Sequence, residues 1–278
     1  MNLRAPAKLN LCLYLGATRD DGKHELRSLV VPLSLADRIA ISEAETDEVV
    51  CPGVPGPNLA ERALAGLRDR GWAREPLCVE IDKRIPVAAG LGGGSADAAA
   101  VLRLAGDDVP DVRELAAELG ADVPSQLNPA LALLAGAGER VEELPRPGEF
   151  AVVLIPDPEG LSTAEVYAEA DRLGLGRTDD ELAELGSRIT DAAVGGRSPL
   201  SYPELLVNDL EHAALSLRPR IREALDALRD AGAEVALVTG SGPTAFGLFP
   251  DLAAADRAAG MLPPRWAAAI VAAPETFL

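Results

Sequence analysis

The sequence predicts an α+β protein with two domains. Lys8–Leu15 carries leucine at every second position, which is typical of a strand with one buried face. Asn58–Leu67 repeats its apolar residues at helical spacing, and Asn58 is in a position to cap that helix. The proline-rich stretch Leu144–Gly148 then breaks the pattern before the apolar run Ala151–Ile155. We therefore place a domain boundary near residue 148, between domains 1–148 and 149–278.

Strands and helices follow one another along the rest of the chain. The pattern predicts strands over Asp37–Ile41, Leu77–Ile81, Ala151–Ile155, Glu234–Val238, Ala245–Phe249 and Ala267–Val271. It predicts helices over Ser95–Leu104, Asp111–Leu119, Thr163–Leu173, Asp179–Ala193, Tyr202–Leu215 and Pro219–Ala231. Because the first strand is followed by a turn and further strands, we expect an antiparallel sheet near the N-terminus.

Polar residues occupy special positions in these elements. Strand side chains alternate between two faces, so Leu9, Leu11, Leu13 and Leu15 should share one face, while Lys8 and Asn10 should be neighbours on the other. Ser95 stands at the predicted start of a helix, and Asp122 lies at a helix junction just before Pro124. Asp122 on its own would be interpreted as a helix cap.

Composition excludes several functional classes. The formal net charge is -18, and a chain this acidic is not expected to bind nucleic acid, which requires clustered basic residues. No apolar stretch is long enough for a membrane span, and the N-terminus lacks the apolar core of a signal peptide. We expect a cytoplasmic protein that binds neither membrane nor nucleic acid, as a monomer or homodimer. The three cysteines show no metal-binding spacing.

Two glycine-rich segments are candidate ligand sites. Pro86–Ser95 joins a predicted strand to a helix N-terminus, where free backbone N–H groups and the helix dipole favour an anion such as phosphate. Gly92, Gly93 and Gly94 would let phosphate oxygens approach the backbone. The segment matches neither the P-loop nor the dinucleotide pattern, and a tight loop without a ligand is the alternative. The second segment, Val238–Phe246, would by itself be a hairpin turn.

Taken with Pro6–Asn10, the two glycine segments form three ordered motifs that resemble the GHMP kinases, the superfamily of galactokinase, homoserine kinase, mevalonate kinase and phosphomevalonate kinase. Four local matches resemble the members that use a diphosphocytidyl methylerythritol: Pro6–Leu11, Asp21–Leu26, Asp82–Pro86 with its glycine loop, and Leu119–Pro124. The resemblance implies an α+β, two-domain GHMP-kinase fold. It also implies phosphoryl transfer from ATP, with Mg²⁺, to the 2-hydroxyl of that small molecule in isoprenoid precursor biosynthesis.

The resemblance also implies roles for individual residues. Asp122 would be the catalytic carboxylate and Lys8 its partner. ATP would be bound by Pro86, Val87, Ala88, Ala89, Gly90, Leu91, Gly92, Gly93, Gly94, Ser95 and Ala96, with Lys83 and Asn58 lining the nucleotide pocket and Ser95 near the magnesium ion. The acceptor would be bound by Asn10, Lys23, His24, Thr163, Tyr167, Gly240, Ser241 and Gly242.

One position departs from the family. Where the family usually reads Asp-Gly-Tyr-His, this chain has Lys23 in place of the tyrosine that is expected to stack on cytosine. His24 would still bond the edge of the base, and Tyr167 would stack on its other face. Two alternatives stay open: another GHMP kinase that acts on mevalonate, homoserine or a sugar, and a non-catalytic ligand sensor on the same fold.

Overall fold

The computed structural model describes residues 1–54 and 58–275, and its first half is built on a six-stranded sheet. Two long strands dominate this sheet, because β1 and β2 pair in antiparallel fashion along most of their length. The sheet comprises β1 (Asn2–Thr18), β2 (His24–Glu43), β3 (Glu48–Val50), β4 (Leu77–Asp82), β5 (Ala132–Gly136) and β6 (Arg140–Glu143). Its order is β3-β4-β2-β5-β6, with β1 on β2. The predicted N-terminal antiparallel sheet is therefore confirmed.

In the described part of the first half, four α-helices pack with this sheet. They are α1 (Leu59–Asp69), α2 (Gly93–Leu102), α3 (Val112–Leu119) and α4 (Val123–Leu127). Asn58 caps α1, since its side chain accepts a hydrogen bond from the Glu61 backbone N–H, as predicted. Apolar residues of α1, α2 and α3 form one cluster with Ile39 and Ile81 of the sheet. This packing fixes the N-terminus of α2 beside the end of β4.

The second half contains a four-stranded antiparallel sheet with helices around it. The strands are β7 (Ala151–Ile155), β8 (Val235–Val238), β9 (Ala245–Phe249) and β10 (Ile270–Ala272), in the order β10-β7-β9-β8. The helices are α5 (Thr163–Leu173), α6 (Asp179–Val194), α7 (Glu211–Leu217), α8 (Ile221–Asp230) and α9 (Leu252–Met261). Because β8 and β9 pair in antiparallel fashion, the glycine segment between them is the turn of a hairpin, as its sequence predicted.

The expectation that the first strand is buried on one face is wrong. All of Ala5–Leu15 is buried, because helices from the second half cover the face that the sequence pattern left to solvent. The four leucines also do not share one face. The strand register shifts between Asn10 and Cys12, so that Leu9 and Leu11 pack in one apolar cluster and Leu13 and Leu15 pack in another.

Several predicted boundaries need correction. The helix expected to begin at Ser95 begins at Gly93, and its capping position is Gly92, whose φ of 69° suits glycine. Ser95 is therefore inside the first turn and is not the cap. Instead of one helix over Tyr202–Leu215, the chain forms the 3₁₀ turn Pro203–Leu205 and then α7, since Pro203 and the Asn208 side-chain bonds interrupt the helix. The last strand is Ile270–Ala272 and not Ala267–Val271, because a 3₁₀ turn extends to Trp266.

Hydrophobic contacts link the two halves. The largest cluster joins Leu9 and Leu11 of β1 to Phe150 and Val152 near the start of the second half. A boundary at residue 148 stays a prediction. Within residues 1–54 and 58–275, no helix has both the length and the apolar character that crossing a bilayer requires.

Candidate active site

The two glycine segments meet each other and β1 at one point. A Cβ built on Gly90 would lie 2.5 Å from the Gly242 carbonyl oxygen, so the two backbones touch where neither residue has a side chain. Thr244 Oγ1 donates to the Ala89 carbonyl at 2.7 Å, and the Lys8 backbone N–H donates to Leu91 at 2.9 Å. The three motifs that are separated in the sequence therefore form one structure.

Lys8 and Asp122 face each other across this junction. The Lys8 Nζ atom lies 3.4 Å from Asp122 Oδ2 and 2.5 Å from Asn10 Oδ1. The Lys8 side chain is 10% exposed, whereas that of Asp122 is 37% exposed and accessible to a ligand. Asp122 precedes α4, but its side chain makes no capping hydrogen bond. The interpretation of this residue as a helix cap is therefore wrong, and its carboxylate is available for chemistry beside an ammonium group.

A cavity of about 220 Å³, here called the central cavity, opens at this pair. The residues predicted for catalysis and acceptor binding that line it are Lys8, Asn10, Asp122, Thr163, Tyr167, Gly240 and Ser241, and Ser95, which was predicted for ATP and magnesium, lines it too. Thr163 Oγ1 and Ser241 Oγ lie 3.0 Å apart and form a hydroxyl pair on its wall. Gly242 lies beneath Gly90 and does not line the cavity. The cavity therefore offers hydroxyl, amide, carboxylate and ammonium groups to a polar small molecule.

A second cavity of about 430 Å³, the side cavity, adjoins the central one. The two share Thr163 and Tyr167, and the side cavity adds Lys23, His24 and Asp171. The His24 and Tyr167 rings contact each other, with centroids 5.0 Å apart and planes tilted by 45°. Burial, together with the Asp122 charge, raises the pKa of Tyr167 to about 12, so this phenol is neutral at physiological pH.

The glycine-rich loop forms a third cavity of about 280 Å³, the loop cavity. It is lined by Pro86, Val87, Ala88, Ala89, Gly90, Leu91, Gly92, Gly93, Gly94 and Ser95, together with Asn58, Leu59, Lys83 and Asp97. Ser95 borders both the loop cavity and the central cavity. Ala96, which was expected to contact ATP, is fully buried in the core beneath the loop. The N-terminus of α2 thus lies between the two cavities.

The three glycines of the loop differ in what surrounds them. A Cβ on Gly92 would lie 2.7 Å from Lys8 Cγ, and one on Gly93 would lie 3.2 Å from both Ile85 Cγ2 and Lys83 Nζ. A Cβ on Gly94 would have a single neighbour, Leu59 Cδ1, at 3.7 Å. The missing side chain at Gly92 therefore makes room for Lys8, and the one at Gly93 makes room for Ile85 and Lys83. The missing side chain at Gly94 leaves space in the loop cavity.

Two stretches of the chain match a known family. Residues 58–135 match the GHMP kinases N terminal domain, and residues 200–268 match the GHMP kinases C terminal region. The chain is also 41% identical over 269 residues to a 4-diphosphocytidyl-2-C-methyl-D-erythritol kinase of Anaeromyxobacter sp. (strain K). That alignment covers 92% of this chain and 82% of the relative.

The chain belongs to the GHMP kinases. A relative of the same name from Streptomyces avermitilis is 39% identical over 277 residues, which cover 94% of this chain and 92% of the relative. Among solved structures, a crystal structure of 4-(cytidine 5'-diphospho)-2C-methyl-D-erythritol kinase superposes with a TM-score of 0.80 at 34% identity and covers 98% of both chains. The predicted GHMP-kinase fold with N- and C-terminal domains is confirmed.

In this GHMP kinase, Lys83 is held by two buried carboxylates that the sequence did not reveal. Its Nζ atom bonds Asp37 and lies 2.7 Å from Asp97 Oδ2, while Asp37 Oδ1 accepts the backbone N–H groups of Arg84 and Ile85. These bonds attach the start of the glycine loop to β2 and α2. Lys83 was expected to line the nucleotide pocket, and it does border the loop cavity. Its charge is already paired with those of Asp37 and Asp97.

Asp97 is the carboxylate of this group with an unpaired oxygen among the described residues. Its Oδ1 atom is buried and has no hydrogen-bond partner within the part of the chain that the structure describes. Burial raises the pKa of Asp97 to about 7, with Lys83 lowering it and Asp37 raising it. Burial alone would lower the pKa of Lys83, but Asp97 and Asp37 together raise it. Lys83 therefore stays charged while Asp97 can hold a proton.

We expect this GHMP kinase to lose stability relative to an Asp97→Asn variant as pH rises from about 4 to 7. The raised pKa means that the folded state holds a proton that the unfolded chain, with its Asp pKa near 3.9, has already released. This contribution is complete below the unfolded pKa and disappears as pH passes the folded value of about 7. The Tm difference between the two proteins should change by about 2–4 °C for each kcal/mol of this contribution, measured by thermal unfolding at constant ionic strength.

Asp82→Asn is the matched control for this titration, because the Asp82 side chain is 63% exposed on the same segment. It tests whether any Asp→Asn change on this segment reproduces the effect. A Tm difference for Asp97→Asn that stays constant with pH would mean that Asp97 does not titrate there.

Sequence reasoning missed further polar residues of the site. Ser28 and Thr239 contact Asn10, and Asp171 accepts a hydrogen bond from His24 Nε2 at 2.7 Å. Thr18 Oγ1 lies 3.1 Å from the same His24 nitrogen. Thr239 lies within the second glycine segment, whereas the others are ordinary polar residues of a strand or helix that no local pattern distinguishes. Their importance depends on contacts between elements that are distant in the sequence.

Proposed function

We propose that this GHMP kinase transfers the γ-phosphoryl group of ATP to the 2-hydroxyl of 4-diphosphocytidyl-2-C-methyl-D-erythritol, in non-mevalonate isoprenoid precursor biosynthesis. One observation carries the proposal: the Lys8–Asp122 pair lines the central cavity, which adjoins the loop cavity at Ser95 and the side cavity at Thr163 and Tyr167. A long substrate with a reactive alcohol at one end and a nucleobase at the other fits this connected arrangement. Relatives that are 39–41% identical and carry the name of this activity support it.

ATP is assigned to the loop cavity, with its terminal phosphates directed toward the central cavity. The first turn of α2 presents backbone N–H groups there, and its dipole favours negative charge. Asn58 is available only in part for the nucleotide, because its Oδ1 caps α1. Ser95 lies at the border of the two cavities, where the transferred phosphoryl group would pass.

Magnesium is assigned to the same border. A nucleotide-bound Mg²⁺ is usually held by one or two protein groups, phosphates and water, so a cage of acidic residues is not needed. Indeed, no cluster of three His, Cys, Asp or Glu that could hold a metal occurs in residues 1–54 and 58–275. Ser95 and the half-exposed Asp122 fit such a site. The ion would neutralise phosphate charge during transfer.

The chemistry at the acceptor follows from the central cavity. Asp122 is open to the cavity and would accept or orient the proton of the attacking hydroxyl. Lys8, 3.4 Å away, pairs with this carboxylate and offers positive charge to the transferring phosphoryl group. Asn10 and the Thr163–Ser241 hydroxyl pair would bind the remaining hydroxyl groups of the acceptor.

The decisive experiment is ATP consumption across a panel of acceptors. The panel contains 4-diphosphocytidyl-2-C-methyl-D-erythritol, mevalonate, homoserine and galactose, each with Mg²⁺. We expect turnover with the first compound at a kcat/KM at least about 100-fold above the others. Faster turnover of another acceptor would identify a different GHMP kinase, and turnover of none would favour a ligand sensor.

The cytidine end of the substrate is assigned to the side cavity, and Tyr167→Ala should impair its binding. Stacking of a base on an aromatic ring contributes about 1–3 kcal/mol, so KM for the acceptor should rise by roughly 5- to 150-fold. Lys23→Tyr should lower that KM, because it adds a second ring on the other side of the cavity. Steady-state kinetics would measure both effects.

KM for ATP is the internal control for these variants, since neither residue borders the loop cavity. Both variants should keep it within about twofold. An unchanged acceptor KM in Tyr167→Ala would remove the base from the side cavity. Cytoplasmic localisation and the oligomeric state, monomer or homodimer, stay predictions.

A further inference from the structure

A chain of buried hydrogen bonds leads from the backbone of β1 to the Lys8 ammonium group. Ser28 Oγ on β2 donates to the Cys12 carbonyl oxygen at 2.6 Å. The same Oγ accepts from Asn10 Nδ2 at 2.7 Å, and Asn10 Oδ1 accepts from Lys8 Nζ at 2.5 Å. Ser28 and Asn10 are 1% and 5% exposed, so water competes little for these bonds. The chain ends on the ammonium group that faces Asp122.

The first bond fixes the direction of all the others. A carbonyl oxygen can only accept a hydrogen bond, so Ser28 donates its single hydroxyl hydrogen to the Cys12 carbonyl oxygen. The lone pairs of Ser28 Oγ then face Asn10. Only the NH₂ group of Asn10 can satisfy those lone pairs, and this turns Oδ1 toward Lys8. In the flipped amide, NH₂ would face the ammonium group and Oδ1 would face a lone pair. Both contacts would then be repulsive.

We propose that Ser28 is a positioning residue for phosphoryl transfer, which acts through Asn10 to hold Lys8 Nζ beside Asp122. The inference rests on the roles of Lys8 and Asp122 in the proposed function. One hydrogen of the ammonium group is donated to Asn10 Oδ1, and the group lies 3.4 Å from Asp122 Oδ2. Lys8 also lines the central cavity, where the transferring phosphoryl group would be.

Thr239 also contacts Asn10, but it cannot replace Ser28. Its Oγ1 accepts the Asn10 backbone N–H at 3.0 Å and lies 3.5 Å from Oδ1. These contacts fix the backbone of Asn10 and leave Nδ2 without a second acceptor. Ser28→Ala would therefore leave a buried NH₂ group unpaired, and the amide could rotate away from Lys8.

The kinetic test uses Ser28→Ala with Ser42→Ala, an exposed serine on the same strand, as the matched control. We expect Ser28→Ala to lower kcat at least about tenfold, with KM for ATP within about twofold of the wild type. Ser42→Ala should change neither constant. In an Asn10→Ala background, Ser28→Ala should cause no further loss, since its effect passes through Asn10. A full loss in that background would overturn the proposal.

A second readout does not depend on the identity of the substrate. The chain has only three lysines, Lys8, Lys23 and Lys83, so ¹³Cε-labelled lysine gives three assignable NMR signals. Ser28→Ala and Asn10→Ala should both shift the Lys8 signal and leave the Lys23 signal in place, whereas Ser42→Ala should move neither. If the wild type phosphorylates no acceptor in the panel, the proposed function fails while this test still stands. An unmoved Lys8 signal in Ser28→Ala would overturn the proposal.

Discussion

Replacing Asp122 by Asn should lower kcat by about 10²- to 10⁴-fold, the range that a general base contributes, while ATP affinity changes less than about twofold. Asparagine keeps the shape of the side chain but cannot accept a proton, and its contact with Lys8 loses the charge interaction now present at 3.4 Å. ATP affinity should persist because Asp122 borders the central cavity and not the loop cavity. Turnover and equilibrium nucleotide binding would be measured separately.

Asp111→Asn provides a matched control for this variant. Asp111 precedes α3 as Asp122 precedes α4, and neither side chain caps its helix. Only Asp122 faces Lys8. We expect Asp111→Asn to retain wild-type kcat. Near-normal turnover in Asp122→Asn would contradict the assigned role.

Lys8→Ala should also reduce kcat strongly, and combining it with Asp122→Asn should cost much less than the product of the two single losses. Residues that act as a unit are not additive, because removing either one already disables the pair. Independent, multiplicative losses would mean that the ammonium and the carboxylate serve separate steps.

A methyl group at Gly92 should lower kcat by about 100-fold, because a misplacement of about 1 Å at a catalytic group has an effect of this size. Gly92 has a φ of 69°, which an alanine adopts only with strain, and its Cβ would lie 2.7 Å from Lys8 Cγ. Either the loop or the lysine stem must then move. Steady-state kinetics of Gly92→Ala, together with a thermal melt to confirm folding, would measure this effect.

Gly94→Ala is the control two residues further along the same helix turn. Its backbone is outside the left-handed region, and the new Cβ would meet Leu59 Cδ1 at an ordinary 3.7 Å. Because Gly94 borders the loop cavity, this variant should alter KM for ATP and leave kcat close to the wild type. Equal losses of kcat in both variants would mean that the loop, and not the position of Lys8, limits the reaction.

Local sequence patterns predicted much of the fold. Helix Thr163–Leu173 and strand Ala245–Phe249 have the predicted bounds, because apolar periodicity and caps are local signals. Periodicity could not reveal that β1 is buried on both faces, since its second cover comes from helices more than 140 residues away. Nor could it reveal the register shift after Asn10, which separates the four leucines.

The candidate site was predictable to a different degree. Lys8, Asp122 and the glycine loop followed from motifs, and the structure brings them together. Their supporting residues did not: Asp37 lies 46 positions from Lys83, and Ser28 lies 18 positions from Asn10. A polar residue in a strand carries no local sign of the partner it will meet. Such contacts are set by tertiary packing, which a single sequence does not encode in its periodicity.

The ribosome synthesises the first residues of the site long before the residues that complete it. Lys8 and Asn10 emerge at the start of synthesis, yet the Asn10 backbone bonds Thr239, 229 residues later, and Leu13 bonds Val207. Leu13 and Leu15 of the first strand therefore stay partly uncovered until Leu210 and Ala213, in the last quarter of the protein, are made. A nascent chain halted before residue 239 would carry both Lys8 and Asp122 but could not phosphorylate anything, and the opening strand would be its main target for a chaperone.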